Sequence, residues 1–485
     1  MSPLLHPSLV ESTFQSKLIN KSIRGAGIVH IGLGNFHRAH FAVYTAKAVA
    51  KSGGDWGISA YSFRNYELVE KLKAQGNLYS VIEIGPDAES AYIPNVHSEF
   101  IAGYEKANYV SELIANHNTK IISLTVTEAG YLIDSATGGL NWANVDLIND
   151  AKGNSPKTIY GLIINGLMQR TGKPISVMSC DNISHNGDLV RKLLIEYATK
   201  VAPEIVNYLE TAVSFPNSMV DRIVPGTEEK HLQIAKERIG FEDLAPVPCE
   251  KFSMWALEDN FIAGRPEWTD VIFTDQVNEF EQMKLMLLNG SHSLLAYLGG
   301  LLNCQTIPDC RFEPSIEAIL RETLKTEFLP AVNMPNGINS DGYIFDLFNR
   351  WSNTILGDKT FRVGTDGSTK LPQRITKPAL LKLNAGQEPK FMAFIVAAWM
   401  ACMAPLKGES LNEVCLGMKD PNKEQLLSLN NASAEEFVSD FFAKTKIFNN
   451  ELIQSEIFKK QVLKYRKSIY EVGVKDAIDL ALLSS

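Results

Sequence analysis

The chain has 485 residues, more than a single hydrophobic core usually organises, so we expect two large domains. Apolar residues make up 45% and charged residues 21%, which is typical of a globular enzyme. The formal net charge of -8 argues against nucleic acid as the main partner, because phosphate backbones require a basic surface.

Cysteines and apolar runs indicate the compartment. The six cysteines are scattered and form no CxxC pair, as is typical of reduced thiols in a reducing compartment. The longest apolar run, residues 391–406, is too short to cross a bilayer comfortably and predicts a buried helix. Residues 1–20 contain no uninterrupted apolar region of the kind found in signal peptides. We therefore expect a cytoplasmic protein with no membrane partner.

Short β-branched runs alternate with helical stretches in the first part of the chain, and this pattern predicts a parallel sheet. Two of the candidate strands end in polar residues at the carboxyl edge of the predicted sheet, Thr127-Glu128 and Asp181-Asn182. Ligands of open α/β sheets bind at that edge, so we expect a Rossmann-type α/β domain with its ligand there. The candidate strands cover residues 27–32, 56–63, 120–127 and 174–180, and the candidate helices cover 35–51 and a segment ending near residue 76.

After residue 275 strand signals nearly vanish and helical patterns follow one another. Ser433, with Glu436 three residues later, forms a capping-box pattern that predicts a helix start. We expect a dinucleotide-binding domain over 1–275 and a mainly α-helical substrate and catalytic domain over 276–485. The expected helices cover residues 279–302, 314–328, 341–351, 378–383, 391–403 and most of 433–483.

A glycine turn, Gly32-x-Gly34, separates the first strand from the first helix. The first glycine permits a tight turn, and the second lets the backbone approach a pyrophosphate at the helix N-terminus, where Asn35 and Phe36 lie. His37 occupies the place of the usual third glycine. An ordinary strand-to-helix turn is the alternative, but the second strand about 25 residues later favours a dinucleotide site.

The end of the second strand bears on the choice between NAD and NADP. A dinucleotide fold usually carries an acidic residue there for the adenosine ribose, whereas this chain has Arg64 and no acid over residues 62–65. Arg64 would suit the 2′-phosphate of NADP, but it would equally stack on adenine or be solvated. The cofactor is therefore NAD or NADP at this stage.

Residues 284–299 predict a helix with three polar side chains on one side of an otherwise apolar surface. At 100° per residue, His292 falls about 80° and Asn289 about 140° from Lys284. Taken one at a time, the three residues each have a structural explanation. The lysine would extend its charged head to water along an apolar stem, the histidine would be a hydrogen-bonded core residue, and the asparagine would cap a helix or lie in a turn. Together they suit proton abstraction from a hydroxyl, because a desolvated lysine accepts protons near neutral pH and an amide stabilises the developing alkoxide.

Four ordered motifs carry a family resemblance: IVHIGLGNFHRAH at 28–40, SCDNISHNG at 179–187, FPNSMVDRI at 215–223, and the spacing Lys284-x4-Asn289-x2-His292. They resemble the polyol-specific long-chain dehydrogenases, the family of mannitol 2-dehydrogenase and the hexuronate reductases. The resemblance implies a Rossmann-type domain followed by a mainly helical one, and a monomer, with a dimer as the alternative. It also implies NAD(P)-dependent interconversion of a sugar alcohol and its ketose, by default D-mannitol and D-fructose, with NAD slightly favoured.

The resemblance also implies residue roles. Lys284 matches the general base, His292 matches the residue that orients the substrate, and Asn182 and Asn289 match the amides that polarise the reacting oxygen. The residues expected to line the polyol pocket are Asp221, Arg362 and Lys370. The residues expected to bind the cofactor are Gly32, Gly34, Asn35, Phe36, Arg64 and Thr127.

Metal catalysis and two other functions are the alternatives. His37-x2-His40 would share one helix face, but no cysteine or glutamate lies at a recognisable ligand spacing, so we expect no metal. The second functional hypothesis is a fructuronate or tagaturonate reductase, in which an added cation such as Arg374 would pair with the substrate carboxylate. The third is a non-catalytic dinucleotide-binding protein, which would have no need of the lysine, asparagine and histidine together.

Overall fold

The structure is a computed structural model that describes residues 3–9, 15–23, 25–86, 88–134, 136–170 and 172–483. The chain forms two compact units, Met1–Asn278 and Glu279–Ser485. As predicted, the first unit has the α/β Rossmann-type fold and the second is mainly α-helical. Within the described ranges, no helix combines the length and the apolar character needed to span a membrane.

All strands found in the described residues belong to the first unit. In chain order they are β1 (Ala26–Ile31), β2 (Gly57–Ser62), β3 (Val81–Ile84), β4 (Glu89–Tyr92), β5 (His97–Ala102), β6 (Ile121–Leu124), β7 (Ile175–Ser179), β8 (Val213–Ser214), β9 (Ser218–Asp221), β10 (Val247–Glu250), β11 (Met254–Leu257) and β12 (Ile272–Phe273). Six of them form a fully parallel sheet in the order β5-β2-β1-β6-β7-β8. Smaller mixed sheets have the orders β10-β3-β4 and β12-β11-β9. The order in which the strands follow one another reverses between β1 and β6. This is the topological switch point, at which such sheets bind ligands.

The main sheet is buried on both faces because alternate residues of its strands enter two different apolar clusters. Val29 and Ile31 of β1 pack into one cluster, whereas Ile28 packs into the other. The helices of this unit are Asn35–Ala39, Phe41–Ser52, Tyr66–Ala74, Ala107–Ala115, Thr127–Gly130, Val145–Ala151, Ile159–Gln169, Asn186–Val201, Val206–Thr211 and Glu229–Ile239, with short 3-10 turns at Gln15–Lys17, Tyr104–Lys106 and Pro203–Ile205.

The second unit is built around the helix Lys390–Met403, whose residues from Phe391 onward are all buried. This helix packs against Glu456–Val472 and Ser291–Leu301. The remaining α-helices are Val277–Met283, Ile307–Phe312, Pro314–Thr323, Ser340–Trp351, Thr360–Val363, Gly367–Asn384, Glu413–Gly417, Lys423–Leu427, Ala434–Lys444, Asn450–Gln454 and Val474–Leu483. Two π-helical segments, Lys284–Gly290 and Leu324–Phe328, and a 3-10 turn, Leu329–Ala331, complete the unit.

The helix expected over residues 35–51 is in fact two helices that meet at His40. The carbonyl of Ala39 accepts a hydrogen bond from the Arg222 guanidinium at 2.6 Å. Because a side chain satisfies this carbonyl from outside the helix, the chain can turn at His40 without leaving a buried acceptor unpaired. The prediction of one continuous helix was wrong. The hydrogen bond that supports the break comes from Arg222, which is too distant in sequence for a local pattern to reveal.

The helix expected over residues 378–383 is the end of a longer one, Gly367–Asn384. Pro372 and Pro378 both lie inside it. Proline removes a backbone donor and usually ends a helix, so the sequence pattern concealed the first half of this element. Packing against the π segment Lys284–Gly290 supports the helix through its two prolines.

The C-terminal stretch 433–483 is helical in four pieces. Its predicted start is confirmed, because the Ser433 hydroxyl accepts a hydrogen bond from the backbone N–H of Glu436 at 3.1 Å. Gly473, with a φ of 81°, ends the helix Glu456–Val472, since a left-handed residue interrupts the helical hydrogen-bond pattern there.

Substitution of Asn217 tests a link between two distant segments of the first unit. Its side-chain oxygen accepts the N–H groups of Gly187 at 2.9 Å and Asp188 at 3.1 Å, at the start of Asn186–Val201. We expect Asn217→Ala to lower the free energy of unfolding by about 1–3 kcal/mol, because buried donors lose their acceptor. Urea unfolding followed by circular dichroism measures the change. Asn144→Ala, which removes a local helix cap, is the comparison. A loss of zero for Asn217→Ala, or a loss no larger than that of Asn144→Ala, would contradict the assignment.

Candidate functional site

Gly32, directly after β1, is required by the fold. Its φ is +105°, and a Cβ placed there would overlap the carbonyl oxygen of Thr125. The Gly32 N–H donates to the carbonyl of Tyr61 at 2.9 Å, and the Thr125 hydroxyl donates to the carbonyl of Gly32 at 2.7 Å. The turn is therefore held between the ends of β2 and β6, at the switch point of the main sheet.

Gly34 is required by neither backbone conformation nor packing. Its φ of -143° is accessible to any residue, and a Cβ placed there would find its nearest neighbour, the carbonyl oxygen of Gly32, at 3.8 Å. The helix Asn35–Ala39 starts at the next residue, and first-turn N–H groups have no acceptors within their own helix. Open space beside free N–H donors fits a pyrophosphate, so the turn is suited to a dinucleotide.

The side chains of Asn35 and Phe36 have partners within the unit. The Asn35 amide donates to the carbonyl of Pro225 at 3.2 Å and accepts a hydrogen bond from Arg38 at 2.7 Å. Phe36 is half-buried and stacks on His40 with ring centroids 4.9 Å apart. Their expected contact with the cofactor stays a prediction, and for Asn35 the backbone N–H is the group best placed to make it.

A cluster of histidines lies under the glycine turn, and the sequence pattern did not indicate it. His30 and His37 stack at 3.5 Å, and Nε2 of His37 lies 2.9 Å from Nε2 of His97. His30 also bonds the hydroxyls of Ser123 and Thr125 at 2.9 and 3.0 Å. Burial lowers the pKa of all three imidazoles, that of His30 to about 3, so they stay neutral at physiological pH.

The pair His37 and His40 was tested in the sequence as a candidate metal motif. His37 instead belongs to the histidine cluster, and the His40 ring lies 3.4 Å from the carbonyl of Met254. Across the described ranges, no group of three or more histidine, cysteine, aspartate or glutamate side chains is arranged to hold a metal ion.

The tip of β2 presents Arg64 to solvent. The Ser62 hydroxyl accepts the N–H groups of Arg64 and Asn65, at 3.4 and 3.1 Å, and so shapes this corner. The nearest acid in sequence, Glu67, is paired with Lys71 at 2.7 Å. The corner thus offers a cation, where many dinucleotide folds offer a carboxylate to the ribose.

The carboxylate of Asp181, just beyond β7, holds the loop that follows β6. It accepts the N–H groups of Val126 at 2.9 Å and Thr127 at 3.0 Å, and the Tyr131 hydroxyl at 2.7 Å. Burial raises the pKa of Asp181, and these donors oppose that rise. Thr127 is exposed and has a left-handed φ of 62°. The strand β6 ends at Leu124, before the predicted end of the strand at residue 127.

Two asparagines in the segment after β7 differ in their exposure to solvent. Asn182, the predicted polarising amide, is exposed. Asn186 is buried, and its amide donates to the carbonyls of Asp181 at 3.1 Å and Ser218 at 2.8 Å. Asn186 therefore has a structural role.

Most of the FPNSMVDRI motif also has a structural role. Arg222 is buried, pairs with Glu83 at 2.6 Å and donates to the carbonyl of Glu250 at 3.0 Å. Asp221, the predicted pocket residue, is the buried last residue of β9 and lies opposite Met254 of β11. Arg222 directly follows Asp221, so its bonds fix the backbone at the end of β9 and with it the position of the Asp221 side chain.

In the second unit, Lys284 is buried at the start of the π segment Lys284–Gly290. A π turn closes between residues i and i+5, so Asn289 lies one turn beyond Lys284 on the same side. The separation of about 140° expected for an α-helix was wrong for this reason. His292, half-buried, has its ring centroid 6.1 Å from that of Trp351. Gly290 is needed because a Cβ there would press on the Phe328 ring at 2.6 Å.

The expected pocket cations Arg362 and Lys370 differ in their surroundings. Arg362 is exposed and forms an ion pair with Asp358. Lys370 donates to the carbonyl of Thr365 at 2.7 Å and lies 4.0 Å from the carboxylate of Asp366. Burial lowers the pKa of Lys370, and nearby arginines lower it further. Lys370 belongs to the helix that packs against the π segment.

The parallel sheet with a glycine turn at its switch point defines the first unit as the dinucleotide-binding domain of an NAD(P)-dependent oxidoreductase. Residues 26–270 match the mannitol dehydrogenase Rossmann domain, and residues 276–470 match the mannitol dehydrogenase C-terminal domain. The chain belongs to the mannitol dehydrogenase family.

Three relatives illustrate the similarity. D-mannonate oxidoreductase of Escherichia coli strain K12 is 33% identical over 98% of both chains. Mannitol 2-dehydrogenase of Cereibacter sphaeroides is 33% identical over 93% of this chain and 94% of that one. The structure of Pseudomonas fluorescens mannitol 2-dehydrogenase in ternary complex with NAD and D-mannitol matches with a TM-score of 0.86, at 31% identity, over 99% of this chain and 100% of that one.

The two glycines of the turn provide a matched test. We expect Gly34→Val to fold normally but to weaken NADH binding at least tenfold, about 1.4 kcal/mol, because the side chain fills space meant for the pyrophosphate. Gly32→Ala should instead destabilise the protein, since its conformation and its contact with Thr125 exclude a side chain. Calorimetric titration and thermal unfolding measure the two effects. A folded Gly34→Val with unchanged affinity would refute the site.

Proposed function

We propose that this enzyme interconverts a sugar alcohol and its ketose by NAD(P)-dependent hydride transfer, with Lys284 as the general base. D-mannitol and D-fructose are the first pair to test, because relatives at 33% and 31% identity carry the name mannitol 2-dehydrogenase. The observation that carries the proposal is a buried lysine, one π turn from an asparagine, in a single helical element. Buried lysines are rare in folded proteins, and they are a frequent feature of active sites.

In the oxidative direction, the chain's own residues handle the hydroxyl group. A bound NAD(P)⁺ supplies the acceptor for the hydride from the carbinol carbon. Nζ of Lys284 accepts the hydroxyl proton, so one C–H and one O–H bond break while the C=O bond forms, and the lysine returns the proton to solvent. The amides of Asn289 and Asn182 donate to the reacting oxygen as negative charge develops. His292 orients the substrate through a neighbouring hydroxyl.

Further residues bind the two molecules. We propose that the polyol hydroxyls are bound by the carboxylate of Asp221 and by the cations Arg362 and Lys370. For the cofactor, the proposed contacts are Gly32, Gly34, Asn35, Phe36, Arg64 and Thr127. Thr127 is a reasonable contact because it is exposed directly beyond β6, at the switch point of the sheet. No step in this mechanism requires a metal ion.

The proposal also covers the state of the enzyme in the cell. We propose a monomer as the working unit, with a dimer as the alternative. The six cysteines are free thiols and five of them are buried, which suits the reducing cytoplasm. A hexuronate reductase is the second candidate function, because D-mannonate oxidoreductase is similarly related.

Lys284→Ala tests the general base. We expect the turnover rate to fall by at least about 10²-fold, because the hydroxyl proton loses its acceptor, while NADH still binds. Oxidation by the wild type should rise with pH as the neutral amine becomes more abundant, and this rise should be absent from the variant. Asn289→Ala is the comparison, because it should lower the rate but keep the pH dependence. A variant with near-normal turnover and an unchanged pH profile would refute the role of Lys284.

Asn65→Asp tests the choice of cofactor. Asn65 caps the helix Tyr66–Ala74 by accepting the N–H of Leu68, and aspartate preserves this acceptor, so the fold should be unaffected. We expect the new carboxylate to raise the KM for NADPH relative to NADH, through repulsion of the 2′-phosphate. Arg64→Gln should act in the same direction by removing a phosphate partner. If the wild type does not use NADPH at all, Arg64 has another role.

A further inference from the structure

The helix Ser291–Leu301, which carries His292, ends against a pair of cysteines. A Cβ placed at Gly299 would overlap Sγ of Cys310 and would lie 3.6 Å from Cβ of Cys304. The two thiols are hydrogen-bonded to each other. The absence of a side chain at Gly299 therefore gives the two sulfur atoms room to meet against this helix end.

The two cysteines differ in exposure and in acidity. Cys304 is half-buried, whereas Cys310 is fully buried. The hydrogen bond between them lowers the pKa of Cys304 and raises the pKa of Cys310, while burial and the carboxylates of Asp309 and Glu313 oppose the effect on Cys304. Because the thiolate is the reactive form of cysteine, Cys304 is the member of the pair that an oxidant from solution attacks.

A second pair of cysteines at the same helix end lacks this access. Cys402 and Cys415 are hydrogen-bonded to each other beside Gly300, and both are buried. Burial raises the pKa of Cys402. Contact between two thiols is thus common to both pairs, whereas access from solvent and a lowered thiol pKa distinguish Cys304 from Cys402.

The loop that joins Cys304 to its partner is hydrogen-bonded to the stretch before Arg362. The N–H of Ile307 donates to the carbonyl of Asp358 at 2.8 Å, and the carboxylate of Asp358 forms the ion pair with Arg362. From the same stretch, the Thr360 hydroxyl lies 3.4 Å from the buried sulfur of the pair. The sulfur atoms and the proposed pocket cation therefore share two neighbours.

We propose that Cys304 and Cys310 are a peroxide-sensitive dithiol, which closes reversibly to a disulfide and thereby weakens substrate binding at Arg362. The modification site is independent of the proposed function, whereas its effect on binding rests on the proposed role of Arg362. Two thiols in contact need only small side-chain rotations to reach the S–S bond length of about 2 Å. As the bond forms, the Cys310 sulfur leaves the Thr360 hydroxyl, and the stretch before Arg362 shifts. In the cytoplasm such disulfides are typically transient redox sensors.

Hydrogen peroxide is the oxidant in this scheme. The Cys304 thiolate attacks one peroxide oxygen, the O–O bond breaks, and a sulfenic acid forms while hydroxide leaves. The Cys310 sulfur then attacks the Cys304 sulfur, the S–O bond breaks, and the Cys310 proton leaves with that oxygen as water. Overall, two thiols lose two electrons and two protons, and one peroxide molecule becomes two water molecules. A dithiol reductant reverses the closure by thiol–disulfide exchange.

Peptide mapping tests the modification site. Both cysteines lie in one tryptic peptide, residues 285–311, so the disulfide lowers its mass by two hydrogen atoms and protects it from alkylation. We expect a small excess of hydrogen peroxide to convert most of this peptide, and dithiothreitol to restore it. Cys402 and Cys415 are the internal control and should stay reduced, because both are buried. A 285–311 peptide that stays reduced, or equal oxidation of the two pairs, would overturn the inference.

Single substitutions test the order of the two steps. Cys304→Ser should leave Cys310 reduced, because the buried thiol is not accessible to the oxidant. Cys310→Ser should stop at the sulfenic acid of Cys304, which dimedone labels. Serine keeps a donor for the carbonyl of Thr306, which Sγ of Cys310 contacts at 3.2 Å. If Cys310→Ser does not fold, Cys304→Ser provides the test, and oxidation of its Cys310 would contradict the assigned order.

Kinetics test the effect on substrate binding. After peroxide treatment we expect the KM for D-fructose to rise at least about threefold and kcat to change less than about twofold, because the disulfide acts through Arg362 and not on the reacting atoms. The affinity for NADH should be unchanged. Dithiothreitol should reverse the rise, whereas damage through methionine sulfoxide would persist. Cys304→Ser should show no response, and a disulfide that leaves KM unchanged would overturn the link to Arg362.

The two kinds of measurement separate the dithiol from the proposed function. If the untreated enzyme does not reduce D-fructose, the proposed function is wrong for this substrate, and peptide mapping still decides whether the disulfide forms. If D-fructose is reduced and the 285–311 peptide stays reduced under peroxide, the proposed function stands and the dithiol is wrong.

Discussion

The contact between Gly32 and the carbonyl of Thr125 is the constraint on which the first unit depends. The turn after β1 receives hydrogen bonds from β6 and donates to β2, so three adjacent strands meet where a side chain cannot fit. The position of the turn fixes where Asn35–Ala39 begins, and with it the open space beside Gly34. Neutral histidines fill the volume beneath, since a charged imidazole would be costly there.

Several motif residues that suggest chemistry prove to hold the backbone. Asp181 carries the loop after β6, Asn217 caps a helix across the unit, and Arg222 joins β9 to β10 and to the end of the first helix. Each satisfies backbone groups that would otherwise be buried unpaired. Among the residues we propose for chemistry in this unit, Asn182 and Arg64 are exposed, whereas Asp221 is buried.

In the second unit, the charged residues of the proposed site are more enclosed, because Lys284 is buried and Lys370 is half-buried. Lys284 lies in a π turn, a conformation frequent at functional sites, and Lys370 lies on the helix that packs against this turn. Such groups cost stability and are retained where activity requires them. The enclosure of these charged side chains is the physical basis for our proposal that these helices bind the substrate.

How much the sequence predicted follows from the range of the interactions involved. The β1 turn, the strands β1, β2, β6 and β7, the buried helix near residue 391 and the cap at Ser433 rest on local patterns, and the amino-acid sequence determined them. The family and its cofactor class followed from motifs of the same local kind. The strands β5 and β8, the break at His40 and the histidine cluster depend on partners far away in the chain. Likewise, no local pattern distinguishes a π turn from an α-helix. Those features were decided by tertiary structure alone, because packing selects which distant groups meet.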